Sequence, residues 1–308
     1  MNKKNIKYHI IFLIFSLIVF KIVLANTTIS YNEKFLSYLS RYNQYFLWDL
    51  ENKKLIKTSN LPEKIKSVFY IDNDNLALLS DNSILIANNV ILNPQQEYNI
   101  NYNPLFLYTL NPTENYYKFL LLTDKTINIC EIKNDKLKYL KKDTILKPTD
   151  LKYISNNEFL VSANRFVYLY SLSSFLWFNF ISKKKMLDFD KFVISIDIDT
   201  KKNKFLVLTA DGILNLYTIN FQNLKTIQLT KDEKLALYAL NNSDIIVSDK
   251  TSSIRVYAIS GSLKNTLNLP GDVISIEKTT DNLIIIYGDP EKPKLKIIDK
   301  EYNTIADI

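Results

Sequence analysis

Imidazole chemistry has almost nowhere to reside in this 308-residue chain, because His9 is its only histidine and lies in the first ten residues. Beyond it there is no Ser-His-Asp or Cys-His nucleophile, no histidine proton shuttle, and no histidine for a zinc or iron site. Cys130 is the single cysteine, so neither an intrachain disulfide nor a thiolate metal cluster can form. Its residue type and apolar neighbours suit a small buried hydrophobe in a strand. Only four glycines occur, and neither phosphate-cradling pattern, G-x-x-x-x-G-K-[ST] or G-x-G-x-x-G, is present. Carboxylate chemistry survives this elimination. Paired acids could hydrolyse a glycoside, and an arginine cluster with a tyrosine could bind an anionic sugar. The three arginines, Arg41, Arg165 and Arg255, are far apart in sequence. The run Asp72-Asn73-Asp74-Asn75 looks loosely like a calcium loop but has the composition of an ordinary Asx turn. These residues predict no catalytic, cofactor-binding or metal-binding site, and no enzyme.

The net charge of +7 raises the question of nucleic acid. Lys3, Lys4, Lys7 and Lys21 supply four of those charges within residues 1–25, which hold no acid, leaving 35 basic against 32 acidic residues. The positive charge is nearly all dispersed lysine, which lacks the planar guanidinium fork that base readout favours. No nucleic-acid partner is expected.

The segment 1–25 has the outline of an export signal: a basic head, an apolar run from Ile10 to Phe20 broken only by Ser16, and Val23-Leu24-Ala25 before a cut after Ala25. An uncleaved membrane anchor is the alternative. The 16 residues from Ile10 to Ala25 are short for a span and include Lys21, and cleavage is the favoured reading. Both readings put residues 26–308 outside a bacterial inner membrane, periplasmic and in one reading tethered there.

Across the exported part a unit recurs: an apolar strand, a turn rich in Asn and Asp, then a strand of the type x-I-x-I/L-Y. The clearest copies are 208–217 and 248–257, with weaker ones at 79–87, 122–130 and 162–170. Alignment makes Trp48, Ala87, Cys130, Tyr170, Tyr217, Tyr257 and Ile298 equivalent, at spacings of 39, 43, 40, 47, 40 and 41 residues. That is the period of four-stranded propeller blades. The expected fold is therefore all-β, a propeller of seven four-stranded blades over 26–308, preceded by the signal or anchor helix. Six or eight blades stay open, because unit 27–58 carries the weakest pattern. A pair of β-sandwiches would not explain a rhythm that runs through the whole exported chain. In 192–228 four strands are legible, and polar, lysine-rich strands such as Lys136 to Lys141 read as outer edges guarded against pairing.

Two stretches, 94–104 and 182–191, read as long connections between units that enlarge one face of the disc beside Ala210-Asp211-Gly212. From them come the candidate interaction residues Tyr98, Tyr102, Lys183, Lys184, Lys185, Met186, Leu187 and Phe189. Sealing a gap between blades is an equally good use for these side chains.

Some phrases resemble known repeats. Leu47-Trp48-Asp49-Leu50 through Ile56 resembles the ending of a WD repeat, and Val256-Tyr257-Ala258-Ile259-Ser260-Gly261 resembles the quinoprotein-like repeat. The quinone-dependent dehydrogenases that share this architecture need metal and cofactor ligands not found here, and the S-x-D-x-G-x-T-W box of sialidase blades is missing too. As an exported repeat protein the chain resembles the periplasmic propeller subunit of the bacterial outer-membrane β-barrel assembly machinery. It departs from that family in having Asn26 where a lipidated cysteine stands, and in having only Trp48 and Trp177 as tryptophans. The resemblance implies a monomeric scaffold with no cofactor. Its partners would be envelope or membrane proteins, and it would assist outer-membrane protein assembly by strand addition or surface contact. The alternative is a carbohydrate- or ligand-binding propeller of the sialidase or glycosidase kind.

Overall fold

A computed structural model describes residues 27–308 except for 63, 114–115, 156, 176–177, 200–202, 229–236, 242–243 and 249–251. The leader 1–25 and Trp177 lie outside the described residues. Residues with Ile, Val, Leu, Tyr and Phe in short runs, separated by Asn, Asp and Ser turns, form 28 strands in seven antiparallel four-stranded sheets. The blades span 27–60, 67–99, 104–144, 148–188, 193–228, 237–268 and 273–307. No helix occurs among the described residues. Seven is therefore the blade count, and unit 27–58, the least legible in sequence, is a full blade.

In each blade the four strands lie in chain order, first to fourth. First strands pack against first strands of neighbouring blades all the way round, blade 7 against blade 1 included, so they ring the axis. Second and third strands are covered on both sides and are nearly continuous apolar runs, as in Phe35–Leu39, Lys204–Thr209 and Leu283–Asp289. Six hydrophobic clusters fill the junctions between blades. The links between blades and the turns between second and third strands emerge together on what we term the linker face. The remaining turns form the opposite, hairpin face. Thr27 pairs with Tyr38, near the end of the second strand, so the chain enters the ring at the linker face.

Ring closure uses no strand exchange, since every sheet draws all four strands from one contiguous segment. The seam between blades 7 and 1 is held by side chains. Leu36, Tyr38, Phe46 and Trp48 pack on Ile284, Ile286, Leu295 and Ile297. Thr27 Oγ1 hydrogen-bonds Ser275 Oγ at 2.9 Å and donates to Glu277, and the Thr280 amide and hydroxyl donate to Glu33.

The residues aligned by the repeat all fall in third strands, and each marks an irregularity. The pairing of third with fourth strand shifts register at Leu47/Trp48, Ile86/Ala87, Ile129/Cys130, Leu169/Tyr170, Leu216/Tyr217, Val256/Tyr257 and Ile297/Ile298. One extra residue thus bulges from every outer strand: Ile56, Gln95, Leu140, Lys184, Leu224, Lys264 and Ile305. A bulge bends and twists an edge, which together with lysine discourages another strand from adding to it. The turn before the outer strand also repeats a left-handed residue: Lys53, Leu92, Asp135, Phe221 and Tyr302 all have φ between 51° and 70°, and Gly261 has φ 89°. Of these, Gly261 meets the conformation without a Cβ penalty.

Candidate functional site: the polar axis and the outer rim

First strands expose alternate side chains to the axis, and in blades 4, 5 and 7 those side chains are charged. Asp150 and Lys152 come from Pro148–Ser155, Asp197 from Val193–Asp199, and Glu277 from Val273–Lys278, whose last residue, Lys278, follows it directly. Asp150 is buried and accepts hydrogen bonds from Ser195 Oγ at 3.0 Å and from the amides of Ile196 at 3.1 Å and Leu151 at 2.8 Å. Lys152 Nζ stands 3.8 Å from it. Burial pushes the Asp150 carboxyl above its ordinary range, against the pull of Lys152, and the Asp150 charge raises the Lys152 ammonium to about 12. Lys278 Nζ donates to Asp197 Oδ2 at 2.6 Å and to the Ile198 carbonyl at 3.0 Å, tying blade 7 to blade 5 past blade 6. Burial raises Glu277 as well, opposed by the hydroxyls of Thr27 and Ser275 and by Lys152.

Tyrosines line the wall nearby. Tyr108 and Tyr153, on the first strands of blades 3 and 4, stack at 4.3 Å. Tyr31, in the first turn of blade 1, accepts a hydrogen bond from the Thr109 amide of blade 3 at 3.2 Å. Tyr117 donates to Asp72 Oδ2 at 3.0 Å, and burial beside that carboxylate raises its phenol to about 12. Asp72 itself caps its turn, accepting from the amides of Asp74 and Asn75. The run Asp72–Asn75 is thus an Asx turn. Among the described residues no group of three or more His, Cys, Asp or Glu side chains is placed to hold a metal ion.

Acids therefore converge at the axis, but their partners are lysines. Arg165 pairs with Asp188 at 2.9 Å on the outer strand of blade 4, Arg41 lies on a turn of the linker face with its guanidinium 4.7 Å from the Tyr42 ring, and Arg255 sits in the third strand of blade 6. The arginine cluster of an anionic-sugar site is not assembled. Sequence reasoning missed the axial charges. The available signal was polar residues at every second position of the first strands: Asp150 and Lys152, Asp197 and Asp199, Ser275 and Glu277.

The long connections expected at 94–104 and 182–191 are not loops. Pro94–Asn99 and Phe178–Asp188 are outer strands of blades 2 and 4, leaving links of 100–103 and 189–192. Lysines and Asn/Gln at a solvent-facing edge strand mimic loop composition, which is why the reading failed. Of the eight candidate residues, Tyr98 is buried in the core between blades 2 and 3, and Leu187 and Phe189 pack between blades 4 and 5. Tyr102 is exposed on the link from blade 2. Lys183 turns back over Tyr168 of its own blade at 4.2 Å, and Lys185 reaches to blade 5, where it lies 6.0 Å from the Phe221 ring and donates to the Asn220 carbonyl. Lys184 is the bulged residue, and Met186 is 53% exposed. The eight do not share one surface. Cys130 is fully buried, and burial drives its thiol far above the ordinary range.

The fold and the ring of first strands define a seven-bladed β-propeller. No family model matches the sequence, and no curated protein matches it either. Among solved structures the chain is similar to Hsv2 of Kluyveromyces lactis, at 9% identity over 92% of this chain and 97% of that one, with a TM-score of 0.63. It is similar to Sqt1 of Saccharomyces cerevisiae, at 12% identity over 91% and 84% with a TM-score of 0.63. It also resembles the dihydro-heme d1 dehydrogenase NirN, at 12% identity over 92% and 65% with a TM-score of 0.62. At such identities the likeness is one of fold. The seven-bladed propeller reading agrees with these neighbours. The likeness to the outer-membrane assembly subunit gains no support from them, and the bulge in each of the seven outer edges, five of which also carry lysine, opposes the strand addition it implied.

Proposed function

We propose that this propeller is a protein-interaction scaffold that performs no chemistry of its own and works as a single copy. The observation that carries the reading is the unequal rim. The strands of blades 3 and 4 reach 8 to 11 residues, against 3 to 7 in blades 1, 2, 5, 6 and 7, apart from the six-residue second strand of blade 4. On the longest of them, Phe178–Asp188, Phe180 and Met186 are 43% and 53% exposed beside Lys183, Lys184 and Lys185. Apolar side chains amid cations on a rigid edge suit a side-by-side protein contact that needs no backbone pairing. The leader reading supports an exported partner in the cell envelope.

A photo-crosslinking residue placed at Met186 in living cells tests this. A discrete adduct there, and none from Lys138 on the outer strand of blade 3, is expected; no adduct at Met186 or at Phe180 overturns the rim as a contact surface. The mass of the mature chain tests export, and an intact N-terminus on a cytosolic chain refutes it. A second reading, binding of a small polar ligand, is favoured by the acid–lysine set and the Tyr108–Tyr153 stack at the axis. Calorimetric titration with neutral and aminated sugars tests it, with an Asp197→Asn variant expected to abolish any heat seen.

A further inference from the structure

We infer that the linker face over blades 1 to 4 docks on an anionic phospholipid surface. Four successive places on this face each pair a free cation with an exposed apolar side chain. Arg41 and Tyr42 sit on the turn between second and third strands of blade 1. Tyr102, on the link from blade 2, meets Lys125 of blade 3, with the ammonium 5.5 Å from the ring centroid. Leu146 and Lys147 form the link from blade 3, and Lys191 and Phe192 the link from blade 4. Tyr42, Leu146 and Phe192 are 51%, 65% and 52% exposed. Among the described residues none of the four cations has an ion-pair partner, whereas Lys66 is bound to Asp81 and Arg165 to Asp188 on the same arc. Against the four stand half-buried Asp124 and exposed Asp190. The described links and turns of blades 5 to 7 on this face carry Asp211, Asp272 and Glu291, so contact is tilted toward blades 1 to 4.

The pattern of tyrosine, phenylalanine and leucine interleaved with lysine and arginine is that of side chains placed at the boundary between headgroups and acyl chains. The occupant is specified by where the rest of the chain joins. Residues 1–26, with their apolar run Ile10–Phe20, connect to the ring at Thr27, which lies on this same face. A membrane that receives or releases that run therefore meets this face first. The elongated rim of blades 3 and 4 remains open to a protein partner. This inference stands whether or not the scaffold reading does.

Residues 27–308 close the ring through blades 7 and 1, so that portion serves as the test protein. Co-sedimentation is measured with vesicles of equimolar phosphatidylcholine and phosphatidylglycerol, and with phosphatidylcholine alone. The expected result is binding to the anionic vesicles that falls with added salt and is absent from the neutral ones. Each surface cation contributes about fivefold to partitioning, so the double variant Lys125→Ala/Lys191→Ala binds about 30-fold more weakly. Lys136→Ala/Lys138→Ala, at the hairpin-face end of the outer strand of blade 3, binds as the parent does. A Phe192→Trp reporter shifts blue on binding, and an Ile305→Trp reporter on the far side of blade 7 does not. No binding to anionic vesicles at low salt overturns the inference. So does equal loss in both double variants, or binding to polyglutamate that matches binding to vesicles, which would make this a surface for acidic protein.

Discussion

Trp48→Ala tests how this ring is closed. Trp48 is 1% exposed and continues a stack of rings, Tyr38 to Phe46 to Trp48, with centroids 5.8 Å apart at each step. The stack packs on Ile284, Ile286, Leu295 and Ile297 of blade 7. An indole of this kind buries about 200 Å², and at about 25 cal/mol per Å² its removal costs about 5 kcal/mol. Measured losses for Trp→Ala in cores are about 3–5 kcal/mol, so about 4 kcal/mol is expected here. A propeller whose last blade is completed by a strand from the other end of the chain would spread this loss. In this chain the junction has only side-chain contacts, so the seam should open as a unit. Urea unfolding followed by circular dichroism gives the global loss. Hydrogen exchange at low denaturant gives its location. Amides of Gln44–Asp49, Leu283–Asp289 and Lys292–Ile298 should lose protection selectively. Phe119→Ala, fully buried in blade 3, should cost a similar amount while leaving seam protection high relative to its own blade. Equal loss of protection in all blades of the Trp48 variant, or loss centred on blades 3 and 4, refutes side-chain closure.

Further outcomes are expected from the axis and the turns. Lys278→Met removes the 2.6 Å ion pair of buried Asp197 and should cost about 2 kcal/mol by urea unfolding, of which Asp197→Asn in the same chain recovers part. Glu277, raised by burial, binds its proton more tightly in the folded than in the unfolded chain. Stability should therefore fall as pH rises from about 4 through the raised value, and Glu277→Gln should flatten that part of the urea-midpoint profile. Lys53 holds φ 51° on an exposed turn, so Lys53→Gly should raise stability by about 0.5–1 kcal/mol; a loss would mean that the lysine side chain is needed there.

The repeat of Trp48, Ala87, Cys130, Tyr170, Tyr217, Tyr257 and Ile298 was legible in the sequence because every copy solves the same local problem. Each strand must be apolar on both sides where neighbouring blades cover it, and each is followed by a turn whose residues tolerate tight geometry. Period, blade number and the polar outer edges follow from that repetition. What those seven residues share physically, a register shift against the outer strand, was not legible, because a bulge is a property of two strands and the sequence shows one at a time. The same limit hid the axis. Asp150, Lys152, Asp197 and Glu277 are ordinary polar residues of separate strands until closure of the ring brings four positions from three blades around one line, with Lys278 reaching Asp197 from the strand end. It also misplaced the interaction residues, since the lysines of 183–185 look alike on a loop and on a solvent-facing edge strand. Local composition determined the blades of this protein, and only the closing of the circle decided which charges meet and at which face Thr27 enters the ring.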